Sequence, residues 1–140
     1  MKLDLRPYEG VGPIRFGMRR AEVRGAVHAA VRAFRKTRDA TMLLDAFDNE
    51  GIHVYYDELD LCEAVELASP AVAVLKGRAL IGEPFAALRD WLLGLDPELE
   101  VDETGLTASS LGLGLYAPFA GEEPEGPVEG VIAFRRGYYR

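Results

Sequence analysis

The sequence predicts an α+β fold in which two helix-plus-strand units share one antiparallel sheet. Three observations lead to this class. Apolar residues recur at spacings of three and four within residues 18–36 and again within 85–92, which is typical of helices with one buried face. After each of these stretches the apolar residues alternate with period two, as they do in half-buried strands. The same order of helix and strands therefore occurs twice in one chain.

The first unit begins with an amphipathic helix predicted from Met18 to about Lys36. Its apolar stripe consists of Val23, Val27, Ala30, Val31 and Phe34. A neighbouring basic stripe consists of Arg20, Arg24, His28, Arg32 and Lys36. The period then changes to two, and the turn-rich segments DNEG and DELD separate three predicted strands, Thr41–Phe47, Ile52–Tyr56 and Leu61–Leu67.

The second unit begins at the turn Ile81-Gly-Glu-Pro, because Pro84 is well tolerated in the first turn of a helix. The apolar face of this helix consists of Phe85, Leu88, Trp91 and Leu92. It ends at Gly94 or at Asp96-Pro97. Strands are predicted at Leu111–Ala117 and Val128–Phe134, with a further candidate around Leu106, and the polar segment GEEPEGP is a loop.

Short internal matches favour a duplication within a single domain that spans residues 1–140. Gly51-Ile-His-Val-Tyr55 matches Gly112-Leu-Gly-Leu-Tyr116, and Cys62-Glu-Ala-Val65 matches Val128-Glu-Gly-Val131. We expect one repeat over about residues 11–76 and the second over 77–140, each an αβββ-type unit. One unit alone would leave an apolar sheet face poorly covered, so we expect the two to pair into one antiparallel sheet with both helices on one face.

The charge distribution excludes some classes of partner. The net charge is −7, although residues 1–38 carry ten Lys or Arg and three Asp or Glu. An acidic chain disfavours nucleic acid and anionic membranes as main partners, and we interpret the basic stripe as a solvated helix face. The first residues, MKLDLRPYEG, contain no apolar segment, and no run of 18 apolar residues follows, so we expect a soluble, cytoplasmic protein.

The turn that opens the first helix resembles the entry motif of the β-lactamase-inhibitor-protein-like fold. The motif reads Gly-Pro-Ile14-Arg-Phe16-Gly-Met18-Arg-Arg-Ala-Glu-Val23, and the fold is shared with the small lipoprotein of the outer-membrane barrel-assembly machine. The resemblance implies two helix-plus-sheet units and a partner bound on the open face of the sheet. We expect neither a signal peptide nor a lipobox cysteine, so the secreted-inhibitor and lipoprotein roles do not carry over. The GIHVYYD strand and the C-terminal FRRGYY also resemble small bacterial proteins of unassigned activity.

The sequence predicts no catalytic residue, no metal site and no cofactor. Its two histidines are His28 and His53, and neither stands in a recognisable nucleophile motif with a serine or with the single cysteine. Cys62 follows His53 by nine residues on an adjacent strand, and we interpret it as a half-buried thiol. The acidic residues between 45 and 60 do not fit the spacing of a calcium-binding loop, and tight turns explain them.

Alternation along the strands assigns a set of residues to the face of the sheet away from the helices. If Ile52 and Val54 pack under the helices, their neighbours face the other way. The candidate protein-binding residues are His53, Tyr55, Asp57, Glu66, Tyr116, Ile132 and Phe134. An exposed face rich in aromatic residues is typical of a protein contact, although residues 136–140 of the tail or a second copy of the chain could cover it.

These observations favour a non-enzymatic binding protein of the inhibitor or immunity type. It would occlude a basic partner, such as a toxin or an enzyme, with Tyr55 and Tyr116 as anchors and His53, Asp57 and Glu66 as polar contacts. Two alternatives stay open. One is a small-ligand-binding or enzymatic module with a pocket between the repeats, and the other is a structural homodimer.

Overall fold

A computed structural model describes residues 1–35, 38 and 43–139. Within these residues the protein is α+β, as the sequence predicts. Three predicted boundaries lie outside the described residues: the end of the first helix at Lys36, the start of the first strand at Thr41 and the end of the second repeat at Arg140. No helix of the described part has the length and apolarity needed to cross a membrane.

The described part has two α-helices, α1 (Arg20–Val27) and α2 (Phe85–Leu95), one short 3₁₀ helix (Asp48–Glu50) and thirteen strands. The strands are β1 (Lys2–Arg6), β2 (Gly10–Val11), β3 (Ile14–Arg15), β4 (Arg32–Arg35), β5 (Leu43–Phe47), β6 (Ile52–Tyr56), β7 (Cys62–Ala68), β8 (Val72–Leu75), β9 (Arg78–Ala79), β10 (Glu100–Asp102), β11 (Gly105–Ala108), β12 (Leu113–Tyr116) and β13 (Gly130–Phe134).

The larger sheet has eight strands in the order β10-β11-β12-β13-β7-β6-β5-β4, and every neighbouring pair is antiparallel. Its two middle strands, β7 and β13, come from the two halves of the chain. β6 has the predicted bounds, and β7, β11, β12 and β13 lie close to the predicted ones. The predictions succeed here because these strands alternate between apolar and polar residues.

A smaller sheet has the order β3-β2-β1-β8-β9, and within it β1 and β8 run parallel. The sequence analysis did not predict this sheet. Its strands are two to five residues long, which is too short for a period-two pattern to stand out. The parallel pair joins the segment that precedes α1 to the segment that precedes α2.

The first helix is shorter than predicted, and the prediction that it continues to Lys36 is wrong. His28 follows α1 in the left-handed conformation, with φ 54°, and such a residue commonly ends a helix. Residues 32–35 then form β4, in which Phe34 pairs with Leu44 of β5. The apolar spacing over residues 27–34 fits either period, and pairing with β5 decides between them. The basic stripe is therefore divided between a helix and a strand.

The second helix matches its prediction and contributes to the same core as the first. Val23 and Val27 of α1 are buried together with Phe85, Leu88 and Leu92 of α2. Along each strand, core residues alternate with residues of the opposite face. The core residues of the strands include Ile52, Val54, Val65, Leu67, Leu113, Leu115 and Val131. This burial of apolar area is the main source of stability.

A buried carboxylate attaches α1 to the larger sheet. The side chain of Asp45 has no exposed surface, and its Oδ1 lies 2.9 Å from Nη1 of Arg20 and 2.7 Å from Nη2 of Arg24. The hydroxyl of Tyr56 donates a hydrogen bond of 2.9 Å to Asp45 Oδ2. Burial alone would raise the pKa of Asp45, but the hydrogen bonds from Arg24 and Tyr56 and the nearby arginine charges hold it below the usual 3.8. Arg20 and Arg24 are thus partners of the sheet and not a solvated stripe.

We predict that Asp45→Asn lowers the free energy of unfolding by about 3 kcal/mol at pH 7, because it leaves two arginines without their buried carboxylate. The matched control is Asp48→Asn, which breaks an ion pair with Arg32 in which both side chains are more than half exposed. The control should cost less than about 1 kcal/mol. Urea unfolding of both variants gives the comparison.

The same measurement carries a pH signature. Because folding lowers the pKa of Asp45, its contribution is fully present above the unfolded pKa and is lost as the pH falls through the folded pKa. The difference between wild type and Asp45→Asn should therefore shrink in urea titrations below pH ~4. A difference that stays constant into acid would contradict the ion-pair account.

Candidate functional site

One face of the larger sheet, opposite the core, carries most of the predicted binding residues, and we call it the open face. Thr107, Gly114, Ile132, Glu66 and His53 lie directly opposite one another in a row across β11, β12, β13, β7 and β6. Directly opposite residues of a sheet point to the same face, so the four side chains of this row share the open face. The row crosses the junction between β7 and β13.

The C-terminal segment covers one part of the open face. The ring of Phe134 is stacked on Tyr138 at 5.7 Å and meets Tyr139 edge-on at 4.9 Å. Tyr8, from the N-terminal segment, contacts Phe134 edge-on at 6.1 Å. Phe134 is therefore 3% exposed, and the expectation that it is an exposed contact is wrong. From the sequence, the C-terminal tail was one of the possible covers of this face. It packs on Phe134 because the four aromatic rings remove apolar area from water together.

Arg135 fixes the start of this tail. Its Nη1 lies 2.8 Å from Oδ2 of Asp57, and its Nη2 lies 3.5 Å from Oε2 of Glu63. Asp57 Oδ1 also accepts hydrogen bonds from the backbone N–H groups of Leu59 and Leu61. The predicted partner contact Asp57 is thus engaged in a turn and an ion pair of its own chain.

A glycine allows the N-terminal tyrosine to reach the sheet. Gly112 has φ +64°, and a Cβ built there would lie 2.9 Å from Cε1 of Tyr8 and 3.0 Å from the carbonyl oxygen of Phe134. The hydroxyl of Tyr8 donates a hydrogen bond to the carbonyl oxygen of Ser109. The guanidinium of Arg136 lies over the Tyr8 ring, 4.1 Å from its centroid.

Beyond the covered part, the open face contains a groove of about 510 Å³ over β7, β13, β12 and β11. Its floor is recessed because Gly105, Gly114 and Gly130 have no side chains to fill it. Ile132 is half buried and gives the floor an apolar patch. Tyr139 of the tail is among the lining residues, so the groove begins where the aromatic cover ends.

The groove is acidic and has tyrosines in its lining. Glu66, Asp102 and Glu129 come from three separate segments of the chain, and none of the described lining residues is Lys or Arg. Tyr116 is 53% exposed and Tyr139 is 59% exposed. Carboxylates and aromatic rings together favour a cationic group.

A small polar cluster adjoins the groove at β6. The hydroxyl of Tyr55 donates a hydrogen bond of 3.3 Å to Oε1 of Glu66, and Nδ1 of His53 lies 3.7 Å from the same oxygen. Burial, together with the charge of Glu66, raises the pKa of Tyr55, so its hydroxyl stays protonated as a donor. The ring of Phe34 contacts His53 edge-on at 5.4 Å.

The structure thus brings together five of the seven predicted binding residues. Glu66, Tyr116 and Ile132 line the groove, and His53 and Tyr55 adjoin Glu66. The sequence analysis missed the other acidic residues of the groove, Asp102 and Glu129, and the tail residue Tyr139. The alternate glycines Gly112 and Gly114 were a sequence signal of a depression. The pairing of β10 with β11 and the path of the tail have no such local signal.

In the described part of the chain, Cys62 lies in the core and the acidic turn residues are not grouped as metal ligands. Cys62 is fully buried in the core, and burial raises the pKa of its thiol to about 12. His53, which lies nine residues earlier on the adjacent strand, is on the open face, the opposite side of the sheet from Cys62. No group of three or more His, Cys, Asp or Glu side chains among the described residues is arranged to hold a metal ion.

Comparisons with known proteins give one informative likeness. The structure is similar to the crystal structure of the uncharacterized protein yfeY from Escherichia coli, with a TM-score of 0.60 over 96% of this chain and 100% of that chain. The two sequences are 16% identical. The likeness is one of fold alone. No protein-family model matches the chain, and no curated protein matches it either.

We predict that Gly112→Ala lowers the free energy of unfolding by about 1–3 kcal/mol, because the new methyl group would meet Tyr8 at a positive φ. Gly25→Ala in α1 is the matched control, since no atom lies within 4 Å of its Cβ position. The control should stabilise the protein by up to about 1 kcal/mol. Thermal unfolding measures both, and a Gly112→Ala protein as stable as wild type would contradict the close contact.

Proposed function

We propose that this protein is a non-enzymatic, cytoplasmic protein-binding module of the inhibitor or immunity type. It occludes a basic partner through the uncovered part of its open face. The observation that carries the proposal is the groove, which combines three carboxylates with two exposed tyrosines. The comparisons bear on the fold only and leave this function as a proposal.

The distribution of charge pairs supports a basic partner. Arg20 and Arg24 share Asp45, and Arg32 pairs with Asp48, so these cations are neutralised within the chain. The carboxylates of the groove have no cationic lining residue in the described part of the chain. With a net charge of −7, the molecule would attract a basic surface and speed association.

The exposed tyrosines support a macromolecular partner. Tyr116 and Tyr139 are more than half exposed on one side of the sheet, and tyrosine is enriched among residues that dominate binding energy. A tyrosine buries a large area at little cost in conformational entropy, and its hydroxyl adapts to polar groups. The non-enzymatic part of the proposal is supported by the lining, since none of its described residues is His, Ser or Cys.

We also propose that the chain is an internal duplication of the β-lactamase-inhibitor-protein-like kind, with both helices on one face. Two features support this. Each helix is followed by four strands of the larger sheet, and the last strand of each set, β7 and β13, meets the other in the middle. Both helices bury apolar residues in one core. The open face would then bind its partner as the resemblance implies.

A second candidate function is the binding of a small cationic molecule. The volume of the groove, about 510 Å³, lies in the range of about 300–1,000 Å³ that small-molecule sites occupy. A groove that is open along the sheet favours a polypeptide over such a ligand, because a small molecule is usually enclosed on most sides.

Site-specific crosslinking tests the protein-binding function. A photoreactive amino acid replaces Tyr116 in one variant, and in the control it replaces Leu93, an exposed residue of α2 that is 40% exposed. We expect crosslinks to a basic protein from position 116 and none to that protein from position 93. The purified pair should then lose about 2 kcal/mol of binding free energy on Tyr116→Ala in calorimetry, because the tyrosine is an anchor.

Three outcomes would contradict the proposal. Equal crosslinking from both positions would show that the groove has no special role. Crosslinks only to a second copy of the chain would favour the structural homodimer. Unchanged affinity of the purified pair on Tyr116→Ala would remove Tyr116 as an anchor.

A further inference from the structure

A second recess adjoins the groove. Thr104 lines both depressions, and the second one, of about 350 Å³, is also lined by Glu103, Phe119 and Glu122. Phe119 is 63% exposed. A ligand that reaches from the glycine floor to the recess would meet two further carboxylates, which fits an extended segment of polypeptide better than a compact molecule.

The protein contains an arginine in surroundings of the same chemistry as the groove. The guanidinium of Arg20 lies 4.1 Å from the ring centroid of Tyr56 and pairs with the carboxylates of Asp45 and Asp60 at 2.9 and 2.8 Å. A planar guanidinium can stack on a ring while its N–H groups donate to carboxylates on different sides. The groove offers the same groups, namely tyrosines and carboxylates from separate segments.

We propose that the groove binds an extended, arginine-containing segment of the partner, with an arginine side chain on the glycine floor. This inference rests on the proposed function and names the chemistry of its occupant. Glu66, Asp102 and Glu129 accept hydrogen bonds from the guanidinium, and Tyr116 and Tyr139 supply aromatic faces. Asp102 would accept through Oδ2, because its Oδ1 already accepts hydrogen bonds from the backbone N–H and the hydroxyl of Thr104. A second basic residue of the segment reaches the recess at Glu103 and Glu122.

Arginine fits these groups better than lysine does. The ammonium of lysine is a compact, strongly hydrated charge that must lose more water to enter the groove. The guanidinium is more weakly hydrated, and its five N–H donors lie in one plane. The carboxylates belong to β7, β10 and the segment before β13, and a planar fork of five donors can reach more than one of them at once.

Titration with short peptides tests this inference without any knowledge of the partner. The probe is acetylated and amidated Ser-Gly-Arg-Gly-Arg-Gly-Ser, and the two comparison peptides carry lysine or citrulline in place of arginine. Citrulline keeps the shape of the side chain and removes its charge. Backbone amide signals in nuclear magnetic resonance report the position, with Gly105, Gly114 and Gly130 in the groove and Gly25 on α1 as the internal control. The same titration of a chain that ends at Tyr139 controls for competition by Arg140.

We expect the arginine peptide to shift the three groove glycines and leave Gly25 unchanged. The lysine peptide should bind several-fold more weakly, and the citrulline peptide should not bind. The triple variant Glu66→Gln, Asp102→Asn, Glu129→Gln should weaken the arginine peptide by about tenfold or more.

A matched triple variant separates position from net charge. Glu9→Gln, Glu58→Gln and Asp90→Asn remove the same charge at exposed positions outside the groove, and this variant should bind the peptide within about twofold of wild type. Tyr116→Leu should weaken the arginine peptide more than the lysine peptide, because stacking is lost.

The outcomes are distinguishable from those of the crosslinking experiment. Equal binding of the arginine and lysine peptides, equal weakening by the two triple variants, or shifts away from the groove would overturn the arginine assignment, even if Tyr116 crosslinks to a partner. Peptide binding in the groove without any protein crosslink would support the arginine chemistry and contradict the proposed function.

Discussion

The antiparallel pairing of β7 with β13 is the constraint on which the rest of the structure depends. Each half of the chain supplies four strands of the larger sheet, and without this pair both halves would present the backbone groups of an exposed edge. The pair also fixes the register in which Glu66 lies opposite Ile132 and Ala64 lies opposite Phe134. A shift of one residue would exchange the core and the open face of one half. Both the core and the groove are therefore consequences of one register.

The open face is divided into a covered and an uncovered part by the two ends of the chain. Tyr8 and the tail tyrosines bury Phe134, and Gly112 provides the room that this packing needs. Tyr139 both contacts Phe134 and lines the groove, so it belongs to the cover and to the groove. The charged residues also fall into two groups. Arg20 and Arg24 of α1 form ion pairs with aspartates of the same chain, whereas the carboxylates of the groove have no Lys or Arg among the described lining residues.

The sequence predicts those elements whose pattern is local. Ile52–Tyr56 and α2 follow from alternation and from helical spacing, and the assignment of His53 and Glu66 to one face follows from alternation alone. The predicted end of the first helix is wrong because the apolar residues within 27–34 fit both a helix and a strand. Only the pairing of β4 with β5 decides that residues 32–35 form a strand. The ion pairs of Arg20 and Arg24 with Asp45 could not be predicted from the sequence either, since Asp45 lies on β5, more than 20 residues away in sequence.

The candidate site is predictable to a similar degree. Glu66, Tyr116 and Ile132 were found from strand position, because side chains on alternate residues share a face. Asp102, Glu129 and Tyr139 reach the groove only through the pairing of β10 with β11 and through the path of the tail. Phe134 lies on the predicted face of the sheet but is buried there, contrary to the expectation. Alternation gives the direction of a side chain and says nothing about what packs on it.

The claim that the groove is the negative, accessible part of this surface can be measured directly with paramagnetic probes. A cationic and an uncharged nitroxide of similar size are added in turn, and the broadening of each backbone amide signal is compared. We expect the cationic probe to be enriched at Gly114, Gly130 and Thr107 relative to Gly94 of α2, and added salt to remove the enrichment. Equal broadening of groove and helix signals by the two probes would contradict the account, since a basic partner would then have no reason to dock on this face.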